Sequence, residues 1–240
     1  MDAVYSELLK HVHLPPSDSE KGKVAVIVLC SNRKEDLLKF LTRFLPFFTK
    51  QRKQNAIIII EQASNQSFSR AKLFAAAVMK IKNRPPGDRL YGIDCYVLHD
   101  VDKVPTSPSM VYESCSNFQL HFRLYSTFLE GATAFTWEHI ENINGASNIF
   151  YGWGGADNDF SIRLQLNNIT VDRTVGDDIT FVEFDADHRR DKNKDRNKLT
   201  TMDSVFSRWK NDGIKQTRYH LLSRSDYEFV MWLLVSISFT

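Results

Sequence analysis

Cysteine is scarce in this sequence, with three residues, Cys30, Cys95 and Cys115, in a chain of 240. So few cysteines exclude a scaffold built on disulfide bonds, and their spacing does not fit a zinc site. One disulfide bond with one cysteine left over remains open. The chain also lacks an excess of either charge, since 31 basic and 29 acidic side chains leave a net charge of +2. We therefore expect no nucleic-acid partner and no direct attraction to an anionic membrane.

Long apolar runs and phosphate-binding glycine motifs are missing as well. The one dense apolar stretch, residues 229–239, is far too short to cross a bilayer and predicts a buried terminal strand. An early acid and the lack of a long apolar region in the first residues argue against a signal peptide. Neither Gly-x-Gly-x-x-Gly nor Gly-Lys-Ser/Thr occurs, so neither a dinucleotide enzyme nor a P-loop enzyme is supported.

The composition that remains is typical of a globular protein with a substantial core, with 42% hydrophobic and 25% charged residues. This length allows one large α/β domain or two small ones. Residues 1–23 are polar and contain two adjacent prolines, so we expect a loosely held arm or the end of a stem.

The first half of the chain after residue 23 alternates continuous apolar runs with segments of helical periodicity. The runs predict strands at 24–29, 56–60 and 95–98, and the periodic segments predict helices at 33–50 and 68–81. Strands and helices in this order, joined by short links, predict a parallel sheet with right-handed crossovers. Such an arrangement resembles a nucleotide-binding half-domain.

The third of these strands leads into His99, Asp100 and Asp102, with Pro105 expected to end the element. In extended chain the side chains of alternate residues point the same way, so both carboxylates can face one spot. Two oxygen donors at the carboxyl end of a central strand suit a divalent cation that carries a nucleotide diphosphate. The alternative is a strand followed by a solvated acidic turn.

The second half of the chain contains a second cluster of glycines and acids, Tyr-Gly-Trp-Gly-Gly-Ala-Asp-Asn-Asp, at residues 151–159. Three glycines make the backbone permissive, and Trp153 lies between them. We interpret this stretch as a mobile loop that closes over a ligand, with Asp157 at its base. The alternative role of Asp157 and Asp159 is structural, because acids in the first turn stabilise a helix through its dipole.

The sequence patterns of the other elements in the second half are less distinctive. Strands are expected at 117–125, 129–135, 179–185, 219–222 and 229–239, and helices at 136–142, from 157 onward, and at 200–211. A charged run at 185–198 predicts a solvated loop. His188 in that loop is a candidate metal ligand, although a single histidine in such a loop is usually a surface residue.

Together these motifs resemble the β-1,4-galactosyltransferase family, Golgi enzymes of the glycosyltransferase-A fold, over most of the chain from residue 24. The matching stretches are Asn32-Arg33, Phe68-Ser69-Arg70-Ala71-Lys72-Leu73, Asp100-Val101-Asp102, residues 151–159, and His188 in His-Arg-Arg-Asp-Lys. The resemblance implies an α/β, glycosyltransferase-A-like single domain with a Rossmann-like nucleotide-binding half and a mixed central sheet. Residues 24–240 would form the catalytic domain, with a UDP-sugar-binding half at 24–116 and an acceptor-binding half at 117–240.

The resemblance also implies roles for individual residues. Asp157 would be the catalytic base, and Asp102, His188 and Asp185 would bind Mn²⁺. The implied donor-binding residues are Asn32, Arg33, Phe68, Arg70, Asp100, Val101 and Trp153. The implied acceptor-binding residues are Trp153, Gly154, Gly155, Asp157 and Phe128. Cys95 and Cys115 fall where the family has a disulfide bond, which would leave Cys30 buried and unpaired.

Several departures from the family pattern lie in the implied site. Ala156 replaces an acceptor-binding glutamate, Glu130 stands in a motif usually written Tyr-Phe-Gly-Gly, and Leu29-Cys30-Ser31 replaces a Pro-Phe-Arg lead-in. Asp185 stands where many members have a methionine ligand, and a carboxylate there suits Mn²⁺. Phe128 occupies the position that sorts galactose from N-acetylgalactosamine donors, and its bulk favours galactose.

The expected function is a metal-dependent inverting transfer of galactose or N-acetylgalactosamine from a UDP-sugar to a terminal N-acetylglucosamine-type or related glycan, in β-1,4 linkage. The competing hypothesis is a non-catalytic paralogue that serves as a sugar- or nucleotide-binding scaffold. The resemblance implies the Golgi lumen, with a membrane contact only through a type II anchor that we do not find in this chain. Asn65 and Asn168 begin the two glycosylation sequons.

Overall fold

The computed structural model describes residues 7–9, 23–50, 55–63, 67–106, 112, 115, 119–122, 129, 131–172, 181–184, 192–228 and 230–237. Its strands are β1 (Lys23–Cys30), β2 (Asn55–Gln62), β3 (Ile93–His99), β4 (Lys103–Pro105), β5 (Gln119–Phe122), β6 (Ala132–Thr136), β7 (Val171–Asp172), β8 (Phe181–Glu183), β9 (Tyr219–Asp226) and β10 (Val230–Ile237). Its α-helices are α1 (Lys34–Phe48), α2 (Arg70–Lys82), α3 (Trp137–Asn142), α4 (Ala156–Leu166), α5 (Arg196–Leu199) and α6 (Met202–Arg208).

The central sheet is mixed and has the strand order β7-β5-β6-β3-β1-β2-β10-β9. Its middle is parallel, because β1 pairs in parallel with both β2 and β3, and β10 pairs in parallel with β2. Antiparallel strands flank this middle, with β6 beside β3 on one side and β9 beside β10 on the other. A separate antiparallel pair, β4 with β8, lies outside the central sheet. The predicted α/β single domain with a mixed central sheet is confirmed.

Strand β1 shows how the two faces of the sheet are covered. Its residues are almost continuously apolar because a central strand between helical layers is buried on both faces. Ala25, Ile27 and Leu29 pack in the core that contains α2, while the alternate residues pack in the core that contains α1. This period of two is the pleat of the strand.

The helices bury faces of different character. Helix α1 is amphipathic and turns one apolar stripe inward, made of Leu37, Phe40, Leu41, Phe44, Leu45 and Phe48. Helix α2 is rich in alanine and buries most of its length, including the lysine at position 72. Alanine allows the close approach of α2 to the sheet, and this brings its first residue, Arg70, to the carboxyl end of β3.

The predicted elements are present with shifted ends. The strand expected at 129–135 begins at Ala132, and the helix expected at 200–211 is the shorter α6, capped by Thr201. The strand predicted to end at Pro105 instead ends at His99, turns at 101–102 and resumes as β4. A bond from the Asp100 amide to the Gly131 carbonyl, 2.9 Å, closes this turn against the start of β6. In the described part of the chain, no helix has the length and apolar character that a membrane span requires.

Candidate active site

The strand that carries the acidic motif is tied covalently to a later part of the chain. Cys95 on β3 forms a disulfide bond with Cys115, with their Cα atoms 5.2 Å apart. The bond implied by the resemblance is therefore confirmed. Cys30 remains a buried thiol, also as expected, and its sulfur lies 3.8 Å from the carbonyl of Ile60.

His99, at the end of β3, is a core residue. Its ring is fully buried, and it packs edge-on against Phe40 and Phe44 of α1. Its Nδ1 lies 2.8 Å from the carbonyl of Asp100, which can only accept, so Nδ1 carries the proton and Nε2 accepts from the Tyr112 hydroxyl at 2.8 Å. Burial lowers the pKa of His99 to about 4, so it is neutral near pH 7.

Asp100 lies in a ring of donors at the end of the strand. Its carboxylate accepts from Arg70 Nη1 at 2.5 Å and from the amide of Gly131 at 3.1 Å, and it pairs with Lys103 Nζ at 3.1 Å. Burial acts to raise the pKa of Asp100, but Arg70 and Lys103 outweigh burial and hold the pKa below its usual range. Asp100 is therefore ionised and fixed in place.

Asp102 has a different environment, although it is only two residues away. Its Oδ2 lies 3.2 Å from Arg33 Nη1, while burial, Asp100 and Glu183 raise its pKa. The two carboxylates therefore have different arginine partners. Burial is the largest cause of the raised pKa of Asp102, and Arg33 and Lys103 oppose this shift without reversing it.

Asn32 and Arg33 form the corner between β1 and α1. Asn32 has a left-handed backbone with φ of 52°, which asparagine tolerates better than most residues. Arg33 also pairs with Asp36, at 2.7 Å, so its guanidinium is held between the helix start and Asp102. An open cleft of about 390 Å³ lies here, lined by Asn32, Arg33, Lys34, Glu35, Asp36 and Lys39.

The Gly-Trp-Gly loop contacts both neighbouring parts of the site. The amide of Gly152 donates to the carbonyl of Phe68, 2.8 Å, which joins the loop to the residues before α2. Trp153 is 43% exposed, and its carbonyl accepts from the amide of Asn193 at 2.9 Å. The guanidinium of Arg196 stacks over the Trp153 ring at 5.2 Å.

Gly155 is the last residue of the loop and the N-cap of α4. Its φ of 94° belongs to the left-handed region, and a Cβ there would lie 2.5 Å from Cε1 of Phe150. Glycine is therefore required twice at this position, for backbone conformation and for space. Gly154, with φ of 98°, is similarly covered by the side chain of Arg196.

The two acids that follow the loop point in different directions. Asp157, the second residue of α4, keeps about a third of its side chain exposed and lies 3.4 Å from Arg70 Nε. Asp159 is fully buried and pairs with Arg163 and Arg208. Residues two apart on a helix do not share a face, as expected for these two. The residue exposed to a ligand is Asp157.

Arg70 connects the two acidic motifs, which are far apart in the sequence. Burial acts to lower the pKa of Arg70, but Asp100, Asp157 and Asp102, in that order of influence, outweigh it and raise the pKa further. One guanidinium thus lies among the carboxylates at the end of β3 and the carboxylate at the start of α4. The two motifs to which the resemblance assigns donor and acceptor binding therefore meet at Arg70.

The three implied metal ligands are described only in part. Asp185 and His188 lie outside the described residues, and the described residues contain no group of three histidine, cysteine or acidic side chains that could hold a metal ion. Phe184, the described residue that precedes Asp185 in the sequence, donates its amide to the Asp102 carbonyl at 3.0 Å.

The remaining predicted residues are distributed as follows. Val101 is buried in the core on the α1 side of the sheet, and Phe68 is partly buried against the other core. Asn168 lies in the turn after α4, with φ of 54°. Phe128 and Asn65 lie outside the described residues.

Sequence reasoning missed two features beside the site. Lys72 is almost fully buried and donates from Nζ to the Tyr151 hydroxyl at 2.5 Å, which ties α2 to the residue before the loop. The second feature is a cluster of charges formed by Asp159, Arg163, Arg208 and Asp212. The spacing of four residues between Asp159 and Arg163, and between Arg208 and Asp212, was the available signal.

The sequence matches two protein-family models and several known proteins. Residues 4–116 match the model for the N-terminal region of glycosyl transferase group 7, and residues 110–185 match a galactosyltransferase domain model described as the N-terminal domain of galactosyltransferase. β-1,4-galactosyltransferase 4 of Cricetulus griseus is 32% identical over 84% of this chain, and the human protein of that name is 30% identical over the same share. The chain spans 59% of the length of each of these relatives.

A likeness to solved structures shows the fold. The catalytic domain of Drosophila β1,4-galactosyltransferase 7 in complex with xylobiose superimposes with a TM-score of 0.74 at 22% identity, covering 91% of this chain and 95% of that one. A D211N mutant of the Drosophila protein, in complex with manganese, UDP-Gal and xylobiose, gives a TM-score of 0.73 at 23% identity. The fold is therefore the glycosyltransferase-A fold, and the chain belongs to the β-1,4-galactosyltransferase family as a divergent member.

Proposed function

We propose that this chain is the catalytic domain of a metal-dependent, inverting glycosyltransferase. It moves galactose, or N-acetylgalactosamine, from a UDP-sugar to a terminal N-acetylglucosamine-type or related glycan in β-1,4 linkage. The observation that carries the proposal is the position of Arg70, which lies 2.5 Å from Asp100 and 3.4 Å from Asp157. This arginine joins the stretch that resembles the family's metal and nucleotide motif to the stretch that resembles its acceptor motif.

The residues around Asp102 fit a divalent cation. Burial is the largest cause of the raised pKa of Asp102, and the carboxylates of Asp100 and Glu183 add to it, while Arg33 and Lys103 act against it. A group of carboxylates at the end of a strand suits a divalent cation, because carboxylate oxygens are donors that Mn²⁺ prefers, with histidine as a further ligand. We assign Asp102, Asp185 and His188 as the residues that would hold the ion. A cation bound there would supply positive charge to offset that of the departing diphosphate.

On the acceptor side, Asp157 is the group that takes the proton from the acceptor hydroxyl. Its carboxylate is accessible, in the first turn of α4, and lies 3.4 Å from the Nε of Arg70. Trp153 and its flanking glycines cover the reacting groups and exclude water, which would otherwise hydrolyse the donor. Ala156, beside Asp157, removes a carboxylate that the family uses for the acceptor, and we infer an altered acceptor preference.

The relatives support a class of donor and acceptor, and the disulfide bond supports a compartment. A structural neighbour was solved with UDP-Gal and xylobiose, which supports a nucleotide-sugar donor and a glycan acceptor such as a glycoprotein, glycolipid or glycosaminoglycan. The disulfide bond between Cys95 and Cys115 is consistent with the Golgi lumen, because disulfide bonds persist in oxidising compartments.

A transfer assay tests the catalytic role. Purified protein with Mn²⁺ is offered UDP-galactose or UDP-N-acetylgalactosamine and a small panel of glycan acceptors. Asp157→Asn should lower the transfer rate by about 10²- to 10⁴-fold, the usual cost of losing a general base, and leave donor affinity unchanged. Asp203→Asn is the matched control, since Asp203 also lies in the first turn of a helix, on an exposed surface away from the site.

A binding assay tests the metal. Calorimetry of UDP with the wild-type protein should show tighter binding when Mn²⁺ is present, and Asp102→Ala should remove that difference without unfolding the protein. Equal affinity with and without Mn²⁺ in the wild-type protein would contradict the site. Donor binding without transfer to any acceptor in the panel would favour the non-catalytic paralogue instead.

A further inference from the structure

The first turn of α4 is the element that presents Asp157, and its N-cap gives it little support. The cap is Gly155, which has no side chain to accept from the free amides of the first turn. Asp157 itself is partly exposed and pairs across the site with Arg70 at 3.4 Å. The other residues of the turn help to set the orientation of the helix start.

Asp159 supplies that support through a closed ring of four charges. Its two oxygens bind different arginines, Oδ1 with Arg163 Nε at 2.6 Å and Oδ2 with Arg208 Nη2. The same two arginines bind the two oxygens of Asp212. Each acid therefore contacts both bases, and the ring carries no net charge. Asp159 and Arg163 are fully buried, so these pairs are shielded from solvent.

Arg208 is the member of the ring that also reaches the other side of Asp157. Its Nη2 donates to the carbonyl of Leu199, at the end of α5, at 2.7 Å. Its guanidinium lies over the ring of Phe150 at 5.5 Å. Phe150 is the residue that packs against Gly155, where an added Cβ would be 2.5 Å away. Arg208 thus holds Asp159, two residues after Asp157, and packs on Phe150, the neighbour of Gly155, which lies two residues before Asp157.

Burying these charges costs hydration energy, which indicates that the ring does more than stabilise the fold. When two ion pairs are buried, the attraction between their charges offsets only part of the free energy lost with their hydration. Apolar residues of similar size often stabilise a fold as well or better. The arrangement does fix geometry, because the planar guanidinium accepts only a narrow set of partner positions. Small displacements of a reacting group can reduce a rate by about 10²-fold.

We propose that Arg208 is a positioning residue that sets the orientation of Asp157 through Asp159 on one side and through Phe150 and Gly155 on the other. This inference rests on the proposed function for its kinetic consequence. Its structural consequence, an ordered first turn of α4, does not depend on activity.

The experiment compares three variants by hydrogen exchange and kinetics. Arg208→Gln leaves three charges in the ring and should lower stability, because each carboxylate loses one of its two arginines and a net negative charge remains. The double variant Arg208→Gln/Asp159→Asn restores neutrality and should recover most of that stability. In both, the amides of residues 159–162, which bond back along α4, should exchange at least tenfold faster than in the wild-type protein. Arg224→Gln removes ion pairs with Asp88 and Asp226, outside the ring, and is the control that should leave this exchange unchanged.

The kinetic readout separates positioning from folding. The double variant should transfer sugar about 10- to 100-fold more slowly at saturating substrate, with unchanged donor affinity. Arg208→Lys keeps the charge but cannot bind both acids in the same geometry, so it should lose rate with little loss of stability. Wild-type exchange and rate in the double variant would overturn the proposal. If the wild-type protein transfers nothing, the proposed function fails, and slow exchange in α4 that depends on Arg208 still supports the positioning role.

Discussion

At the scale of single residues, His99 shows how a side chain in an acidic motif can belong to the core. Its two nitrogens are fully used, Nδ1 by the Asp100 carbonyl and Nε2 by the Tyr112 hydroxyl. Burial also raises the pKa of Tyr112, which keeps its hydroxyl protonated and able to donate. Protonation of His99 would break the bond to Tyr112 and place a charge among aromatic rings.

We predict that His99 makes the protein less stable in weak acid. The unfolded chain binds a proton at His99 below about pH 6.5, whereas the folded protein binds it only near pH 4, the value to which burial lowers the pKa. Protons are therefore bound preferentially by the unfolded state in this window, and stability falls as the pH falls. The free energy of unfolding should drop by about 2 kcal/mol between pH 7 and pH 5 from this residue alone.

Urea unfolding of His99→Gln, measured at both pH values, checks this assignment. The variant should lose stability overall, but its stability should depend less on pH by about the same 2 kcal/mol. His220→Gln is the control, because His220 is exposed and its replacement should leave the pH dependence as in the wild-type protein. An equal pH dependence in His99→Gln and wild type would show that other groups are responsible.

At the scale of elements, the junction between the loop and α4 depends on Gly155. We predict that Gly155→Ala destabilises the protein by about 2–5 kcal/mol, from the left-handed backbone together with the clash against Phe150. Thermal unfolding measures the loss, and a transfer assay should show that activity falls with it.

Gly92→Ala separates the two causes. Gly92 also has a positive φ, 78°, but a Cβ there would meet nothing within 4 Å. Only the backbone cost of about 1–2 kcal/mol should appear. If the free energy of unfolding falls by the same amount in both alanine variants, the clash with Phe150 does not contribute to the loss in Gly155→Ala.

The elements differ in how far sequence alone predicts them. Strands β1, β2 and β3 were predicted within one or two residues, because burial on both faces requires continuous apolar runs. Strand β8 lies inside the strand predicted at 179–185, whereas β4 has three residues and no pattern of its own, since only its pairing with β8 defines it. Such short strands require knowledge of the tertiary structure.

The candidate site divides in the same way. The acids could be predicted from the sequence, because Asp102 follows the end of a predicted strand and Asp157 lies at the start of a predicted helix. The contacts among them were not, since the approach of Arg70 to both Asp100 and Asp157 depends on how α2 and α4 pack on the sheet. Sequence also left open whether Asp159 had a functional or a structural role, and its burial decides this.

At the scale of the whole molecule, the disulfide bond is the covalent constraint on the acidic strand. Cys95 and Cys115 are 20 residues apart. We predict that reduction destabilises the folded state by about 3 kcal/mol, the chain-entropy value for a loop of this size.

Urea titrations with and without dithiothreitol measure the effect. The double variant Cys95→Ala/Cys115→Ala should be less stable than the oxidised wild-type protein and should not respond to the reductant. A response of this variant to dithiothreitol would implicate Cys30, which the structure buries as a thiol.

The position of β10 has a consequence for biosynthesis. This strand lies inside the sheet, between β2 and β9, and Trp232 on β10 bonds to Glu61 on β2 across 171 residues of sequence. While the ribosome is still translating the residues before 230, the isoleucine-rich edge of β2 has no strand to cover it. An uncovered apolar edge is a template for aggregation, and distant strand pairs form slowly. We therefore expect the nascent chain to be prone to aggregation until β10 emerges, which is the condition that chaperones relieve.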